Sequence, residues 1–248
     1  MRYIAIESRE DVAVIRLNNK VTNALSPGLV GELSSALTQV KNEFLGIILA
    51  GGAKFFSIGF DLPSLLELDR KGMTRFFYEF NQAAFSLFTM PLPTGCAMAG
   101  HAIAGGNILA LTCDYRFAAS GEKLIGLNEV RLGVPVPYLA DLMLRQIVSD
   151  RAATEIIYHG QFITVSEAEK IGLVDNVVPQ EKLEDYAAEK IAELAALPRE
   201  AFIAIKANRV DAIRLQYEKN YMLKHETFLD CWFSKPTQAL LSEAARKF

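Results

Sequence analysis

One carboxylate and two loops hold the residues of this chain whose types and spacing suit chemistry. Glu129 stands in an otherwise apolar run, Leu124–Val134, beside Asn128. Apolar surroundings disfavour the charged carboxylate and push its pKa up, which suits a group that takes a proton and returns it. The alternative is an exposed Glu in a loop or at a helix cap. The first loop, AGHAIAGG at Ala99–Gly106, opens an apolar helical run. Free N–H groups at a helix start favour an oxygen gaining negative charge, and glycine lets a ligand approach the backbone closely. Glycine pairs at strand–helix junctions also serve packing alone. The second loop, FFSIGFDL at Phe55–Leu62, lies far upstream.

Other chemistries find less support. There is no GxGxxG, and no Lys-Ser/Thr pair follows Gly106, so the dinucleotide and Walker fingerprints do not fit. Ser57 sits in FSIGF rather than a GxSxG elbow. CxxC and HExxH are missing, and three scattered histidines do not make a zinc site. His101, near the glycine loop, is a minor candidate, whereas His159 and His225 read as structural. Asp61 and Asp114 end loops where capping is the expected role. Cys96, Cys113 and Cys231 are odd in number and widely spaced, which favours free thiols in a reducing compartment. A net charge of −3 without a Lys/Arg cluster argues against nucleic acid or an anionic membrane as partner. The first residues lack a signal-peptide pattern, and no run reaches the roughly 18 apolar residues of a membrane span. The expected compartment is the cytoplasm, or an organellar matrix after loss of a presequence.

The elements that must position these residues follow from patterning. Tyr3–Ile6 and Val12–Leu17 read as a hairpin. Ser26-Pro27 starts a helix whose buried face is Leu29, Leu33, Ala36, Leu37 and Val40. Gly46–Ala50 and Thr94–Met98 read as buried strands, each followed by a loop, Ala53–Leu62 and Ala99–Gly105. Leu65–Leu87 reads as a helix with a break near Gly72, Ile108–Cys113 as a helix, and Tyr115–Ala118 as a strand. Strand, glycine-containing loop and helix recur, the pattern of an α/β fold. Such units can wind as a spiral or as a doubly wound sheet, and periodicity does not separate the two. Helices follow at Tyr138–Ile147, Arg151–Tyr158 (closed by Gly160) and Lys182–Leu194, with a capping box at Thr164–Glu167 and a short strand at Leu173–Val178. Beyond Pro198 the chain reads as helical to Phe248. The expected organisation is a core over 1–195 and a helical region over 196–248, packed on the core or on another subunit.

Taken in order, FFSIGFDL, AGHAIAGGNILALTCDYRFAA and IGLNEVRLGVPVP resemble the crotonase (enoyl-CoA hydratase/isomerase) superfamily. The stretch AATEIIYHGQFITVSEAEKIGLVDNVVP extends the resemblance across residues 1–180. It implies a spiral of ββα turns ending in helices that trimerise, as a homotrimer or a hexamer. It also implies an acyl-CoA thioester substrate and an oxyanion hole formed by the backbone N–H groups of Phe60 and Gly105. The CoA ester would lie along Asn23, Ala24, Leu25, Ser57, Gly59, Phe60, Asp61 and Leu62, with Gly105 and Gly106. Hydratases of the superfamily carry two glutamates. Here the first position is Ile108 and only the second, Glu129, is kept, which resembles the delta-3,delta-2-enoyl-CoA isomerases. That likeness makes Glu129 the catalytic group and Ile108 and Tyr138 pocket walls, with Phe76, Phe77, Phe80 and Leu139 tuning substrate length. The fold alone also supports hydratases, decarboxylases, dehalogenases and thioesterases, and a non-catalytic member that binds RNA or a protein.

Overall fold

Each of the three central units begins with a strand of one sheet, adds a strand of a second sheet, and then leaves both. This is seen in a computed structural model that describes residues 1–246. The first sheet has six strands: β1 (Ile4–Arg9), β2 (Val12–Leu17), β3 (Gly46–Ala50), β5 (Thr94–Met98), β7 (Tyr115–Ala119) and β10 (Asn176–Val178), hydrogen-bonded in that order. β1 and β2 form the expected antiparallel hairpin, and every other pairing in this sheet is parallel. The second sheet holds β4 (Phe55–Ser57), β6 (His101–Ile103), β8 (Leu124–Gly126) and β9 (Phe162–Thr164); the first three are parallel and β9 runs antiparallel to β8. The units β3–β4, β5–β6 and β7–β8 therefore advance in step through both sheets. A doubly wound single sheet is ruled out, and the architecture is the mixed α/β spiral.

Buried parallel strands need apolar residues on both faces, and β2 and β3 supply them. Ala13, Ile15, Ile47 and Leu49 face the large core, while Val12, Val14, Ile48 and Ala50 face a smaller one covered by α8 (Leu183–Ala195) through Leu183, Ala187 and Ile191. The opposite side of the first sheet meets α1 (Pro27–Glu43), which Ser26 caps by accepting a hydrogen bond from the Leu29 N–H.

The expected helix over Leu65–Leu87 is two helices, α2 (Leu62–Leu65) and α3 (Arg70–Phe88). The break falls before Gly72. The Asp69 carboxylate accepts from the Gly72 N–H at 2.7 Å and starts α3 afresh. α4 (Gly105–Leu111) begins three residues earlier than apolar patterning suggests, at the glycine pair itself. After the third unit come α5 (Tyr138–Ile147), α6 (Asp150–His159) and α7 (Val165–Lys170), the last with its capping box formed at Thr164 and Glu167. The tail is α9 (Arg199–Trp232) and α10 (Lys235–Ala245). α9 packs along α3 and α5 of its own chain, and α10 packs on α2. Lys247 and Phe248 lie outside the described residues.

Asp114 does not cap a helix. Its carboxylate accepts from the Thr94 N–H (2.9 Å), the Thr94 hydroxyl and the buried Lys206 ammonium (2.6 Å), tying α9 to the ends of β5 and β7. Asp61 stands at the start of α2 with no side-chain capping bond. No described helix is long and apolar enough to cross a membrane.

Candidate active site

The N-terminus of α4 is pressed against the loop after β4 so tightly that only glycine fits. A Cβ on Gly106 would lie 2.3 Å from the Ser57 carbonyl oxygen, and one on Gly59 would lie 3.0 Å from the Gly105 nitrogen. Gly59 also has φ +91°, a region L-residues rarely adopt. Ala104, just before the helix, is held at φ +48°. A non-glycine residue there carries strain of about 1–3 kcal/mol, and it persists because β6, β8 and α4 fix both its sides. Its own N–H is held by the Gly126 carbonyl at 2.9 Å.

This packing brings two amides together. Gly105 is the first residue of α4, so its N–H has no helical acceptor. Phe60 forms a parallel bridge with Leu25: the Leu25 N–H donates to Gly59 O (2.8 Å) and the Asp61 N–H to Leu25 O (3.2 Å). Alternation along an extended strand then turns the Phe60 N–H to the opposite side. Among the described residues neither amide has an acceptor within the chain. The Phe60 ring is locked edge-on against Phe76 and Phe80, at 5.1 and 4.9 Å between centroids.

Phe60 and Gly105 line one cavity of about 350 Å³ with Glu129. Glu129 opens the 3-10 turn Glu129–Leu132 that follows β8, and it is 5% exposed. Two neighbours pin this turn. The Arg131 guanidinium donates to the His159 carbonyl (2.7 Å), and the Thr237 hydroxyl of α10 donates to the Gly133 carbonyl (2.9 Å). Among the described residues the Oε2 of Glu129 has no hydrogen-bond partner. Burial without a counter-charge pushes its pKa up to about 7, so proton uptake and release both lie near neutrality. No other carboxylate lines this cavity among the described residues.

The remaining candidates fall into two groups. Leu62 lines the cavity with Phe60 and Gly105. Asn23, Ala24, Leu25, Ser57, Gly59, Asp61 and Gly106 do not, and several have clear framework parts. The Asn23 amide donates to the Phe55 and Phe56 carbonyls and its Oδ1 accepts from the Asn19 N–H. The Ser57 hydroxyl donates to Asn23 O (2.8 Å) and accepts from the Gly59 N–H. Together they shape the loop that presents Phe60.

Ile108 is fully buried in the large core but is not part of the cavity wall. It lies a turn inside α4, directed into the packing between helix and sheets. Tyr138 lines a neighbouring cleft, where its hydroxyl accepts from the Gln216 amide. Phe76, Phe77, Phe80 and Leu139 also stand behind the wall rather than in it. His101 is a framework residue: its Nδ1 accepts from the Leu124 N–H at 2.9 Å, joining β6 to β8. Burial, with Lys123 and Lys54 nearby, holds its pKa below the ordinary value.

The wall that sequence patterning missed comes mostly from the tail. Phe228 and Trp232 of α9 and Leu241 and Ala244 of α10 line the cavity together with the two amides. The spacing Phe228–Trp232 places both rings on one helical face. That is a weak pointer, because the same pattern marks any core helix.

Two backbone amides and one buried carboxylate thus line a single cavity of an α/β spiral, and comparison with known proteins gives the family. A family profile described as enoyl-CoA hydratase/isomerase matches residues 7–239, and the chain belongs to that family. It is 32% identical over 200 residues to human mitochondrial enoyl-CoA delta isomerase 1, covering 79% of this chain and 66% of the relative. It is also 32% identical over 183 residues to a probable enoyl-CoA hydratase of Mycobacterium tuberculosis, covering 73% and 70%. The crystal structure of human mitochondrial delta3-delta2-enoyl-CoA isomerase superposes with a TM-score of 0.94 at 28% identity, over 99% of this chain and 97% of that one. An enoyl-CoA hydratase from Bacillus anthracis superposes at 0.81 and 27% identity, over 99% and 96%.

Proposed function

We propose that this crotonase-family enzyme is an acyl-CoA double-bond isomerase that converts a 3-enoyl-CoA to the 2-trans-enoyl-CoA. The observation that carries the reading is the single carboxylate: Glu129 is the one acid lining a cavity that also presents the Phe60 and Gly105 amides. Adding water across a double bond calls for a water held between an acid and a base. A 1,3-proton shift needs one carboxylate that can act as both in turn.

In this mechanism the thioester oxygen accepts hydrogen bonds from the Phe60 and Gly105 N–H groups. The Glu129 carboxylate removes a proton from C2, and the electron pair moves onto the thioester oxygen as a dienolate. The same carboxyl then returns the proton at C4, which leaves the double bond between C2 and C3. One preorganised oxyanion donor lowers such a barrier by about 3 kcal/mol. The apolar walls exclude water from the dienolate and keep Glu129 unsolvated and basic. No metal or separate cofactor takes part in this scheme. Self-association as a trimer or hexamer belongs to the same reading. It is supported by the exposed Ile205, Leu215, Met222 and Leu223 of α9 and is measurable by sedimentation equilibrium.

The test is the ultraviolet absorbance of conjugation when a 3-enoyl-CoA is supplied to wild type and to Glu129→Gln. Conjugation by the wild type that falls roughly 10³-fold in the variant supports the reading. Faster hydration of a 2-enoyl-CoA than isomerisation of the 3-enoyl-CoA would replace it with the hydratase activity that some relatives are named for.

A further inference from the structure

One stretch of the cavity wall is shared with a second cleft. Val134, Pro137 and Phe228 line the 350 Å³ cavity on one side and a much larger, open cleft of about 980 Å³ on the other. The outer cleft lies between α5, α6 and the second half of α9, and Asp141, Arg145, Asp150 and Lys224 give it a partly charged lining. Phe228 is the largest of the three shared residues. It is fully buried and stacked on Phe77, with centroids 3.8 Å apart and planes within 13°. Trp232 lies one turn further along α9, 6.0 Å from Phe228 between ring centroids. The partition is therefore rigid, built from a proline, a β-branched residue and a stacked aromatic, and it is one side chain thick.

From this geometry we propose that the partition, with Phe228 at its centre, sets the upper limit of acyl length that the cavity accepts. The inference rests on the reading that the cavity holds the acyl group of a CoA ester. The carbonyl end is fixed at Phe60 and Gly105, so the chain must run past Glu129 towards Phe228 and Trp232. A chain longer than the cavity has nowhere to go unless the partition opens, and beyond it lies a cleft wide enough to take the overhang.

Trp232 supplies a readout that does not depend on turnover. It is the chain's single tryptophan and part of the cavity wall, so acyl entry changes its emission directly. The experiment titrates saturated acyl-CoAs of increasing length into wild type, Phe228→Ala and Val134→Ala. In parallel it measures kcat/KM for 3-enoyl-CoAs of the same lengths.

The expected wild-type result is affinity that rises with acyl length up to a limit and then stops rising or falls before long-chain esters are reached. In Phe228→Ala the rise should continue, with long-chain esters gaining roughly tenfold relative to the eight-carbon ester. Val134→Ala should shift the limit in the same direction by a smaller factor. It carries the test by itself should Phe228→Ala not fold. Wild-type affinity that keeps rising through long chains, or variant profiles that superimpose on the wild type, would overturn the proposal. A length limit that moves in the variants without any isomerase turnover would uphold the partition and sink the isomerase reading alone.

Discussion

The cavity has two walls built on opposite principles. The wall formed by β4, β6 and the start of α4 is backbone: two amides, three glycines and a strained alanine, where a methyl group on Gly106 would strike the Ser57 carbonyl. The wall formed by α9 and α10 is side chain: Phe228, Trp232, Leu241 and Ala244, on helices held by apolar packing, by ion pairs such as Lys206–Asp114, and by the Thr237 hydroxyl bond to Gly133. Glu129 lines the same cavity, on a turn pinned by the His159 carbonyl and the Thr237 hydroxyl. The contrast teaches that the chemistry is written where nothing can be exchanged, and the choice of substrate where side chains can be exchanged one at a time.

The largest effect that would sharpen this comparison is at Glu129. Glu129→Gln is expected to lose roughly 10³-fold in turnover and to become more stable at pH 8. The folded carboxyl has its pKa raised to about 7 from an ordinary 4.5. Between those values the native state holds a proton that the unfolded chain has released, so wild-type stability falls as pH rises through that window. Above it the whole penalty, about 3 kcal/mol, is present, and the glutamine variant escapes it. Urea denaturation at pH 5 and pH 8 measures this; equal wild-type stability at both, relative to the variant, would contradict the burial of the charge.

The next largest concerns the backbone wall. Gly106→Ala drives a methyl group to within 2.3 Å of the Ser57 carbonyl, so a stability loss of about 3 kcal/mol or more is expected. Gly31→Ala is the control. It lies inside α1 with open space around it, and a gain of about 0.5–1 kcal/mol is expected there. Similar outcomes for the two would break the claim that the first wall is sterically closed.

The pH dependence of kcat/KM follows from the same carboxylate. Under the isomerase reading the base form of Glu129 is the active one, so the rate should rise with pH through a midpoint near 7. A profile flat from pH 5.5 to 8.5 would remove Glu129 as the base.

The smallest effect belongs to the tail wall. Thr237→Val removes the hydroxyl bond to Gly133 and costs about 1 kcal/mol. It should raise KM more than it lowers kcat, because the loosened α10 forms the substrate wall and not the amides.

Much of this was legible before any coordinates. The β1–β2 hairpin, the buried strand β3, the Ser26 and Thr164 caps, and the strand–glycine–helix rhythm are local properties, and local pattern revealed them. The second sheet was not legible. Phe55–Ser57 and His101–Ile103 read as loop because three-residue strands are shorter than any periodicity; only pairing with strands far away in sequence makes them a sheet. Ile108 read as a pocket wall because motif position counts residues and does not know which side of α4 faces the cavity. Asp114 read as a cap because its partner, Lys206, is 92 residues away.

What the sequence by itself determined is the machinery whose constraints are local: the glycines that let α4 meet β4, the lone carboxylate in an apolar run, and the family to which those motifs belong. What only the tertiary structure decided is what closes over that machinery. The burial that raises the Glu129 pKa, and the Phe228 partition in the cavity wall, depend on α9 and α10 folding back across some hundred residues of sequence. Burial is a property of packed neighbours, and no pattern within one segment records which neighbours those will be.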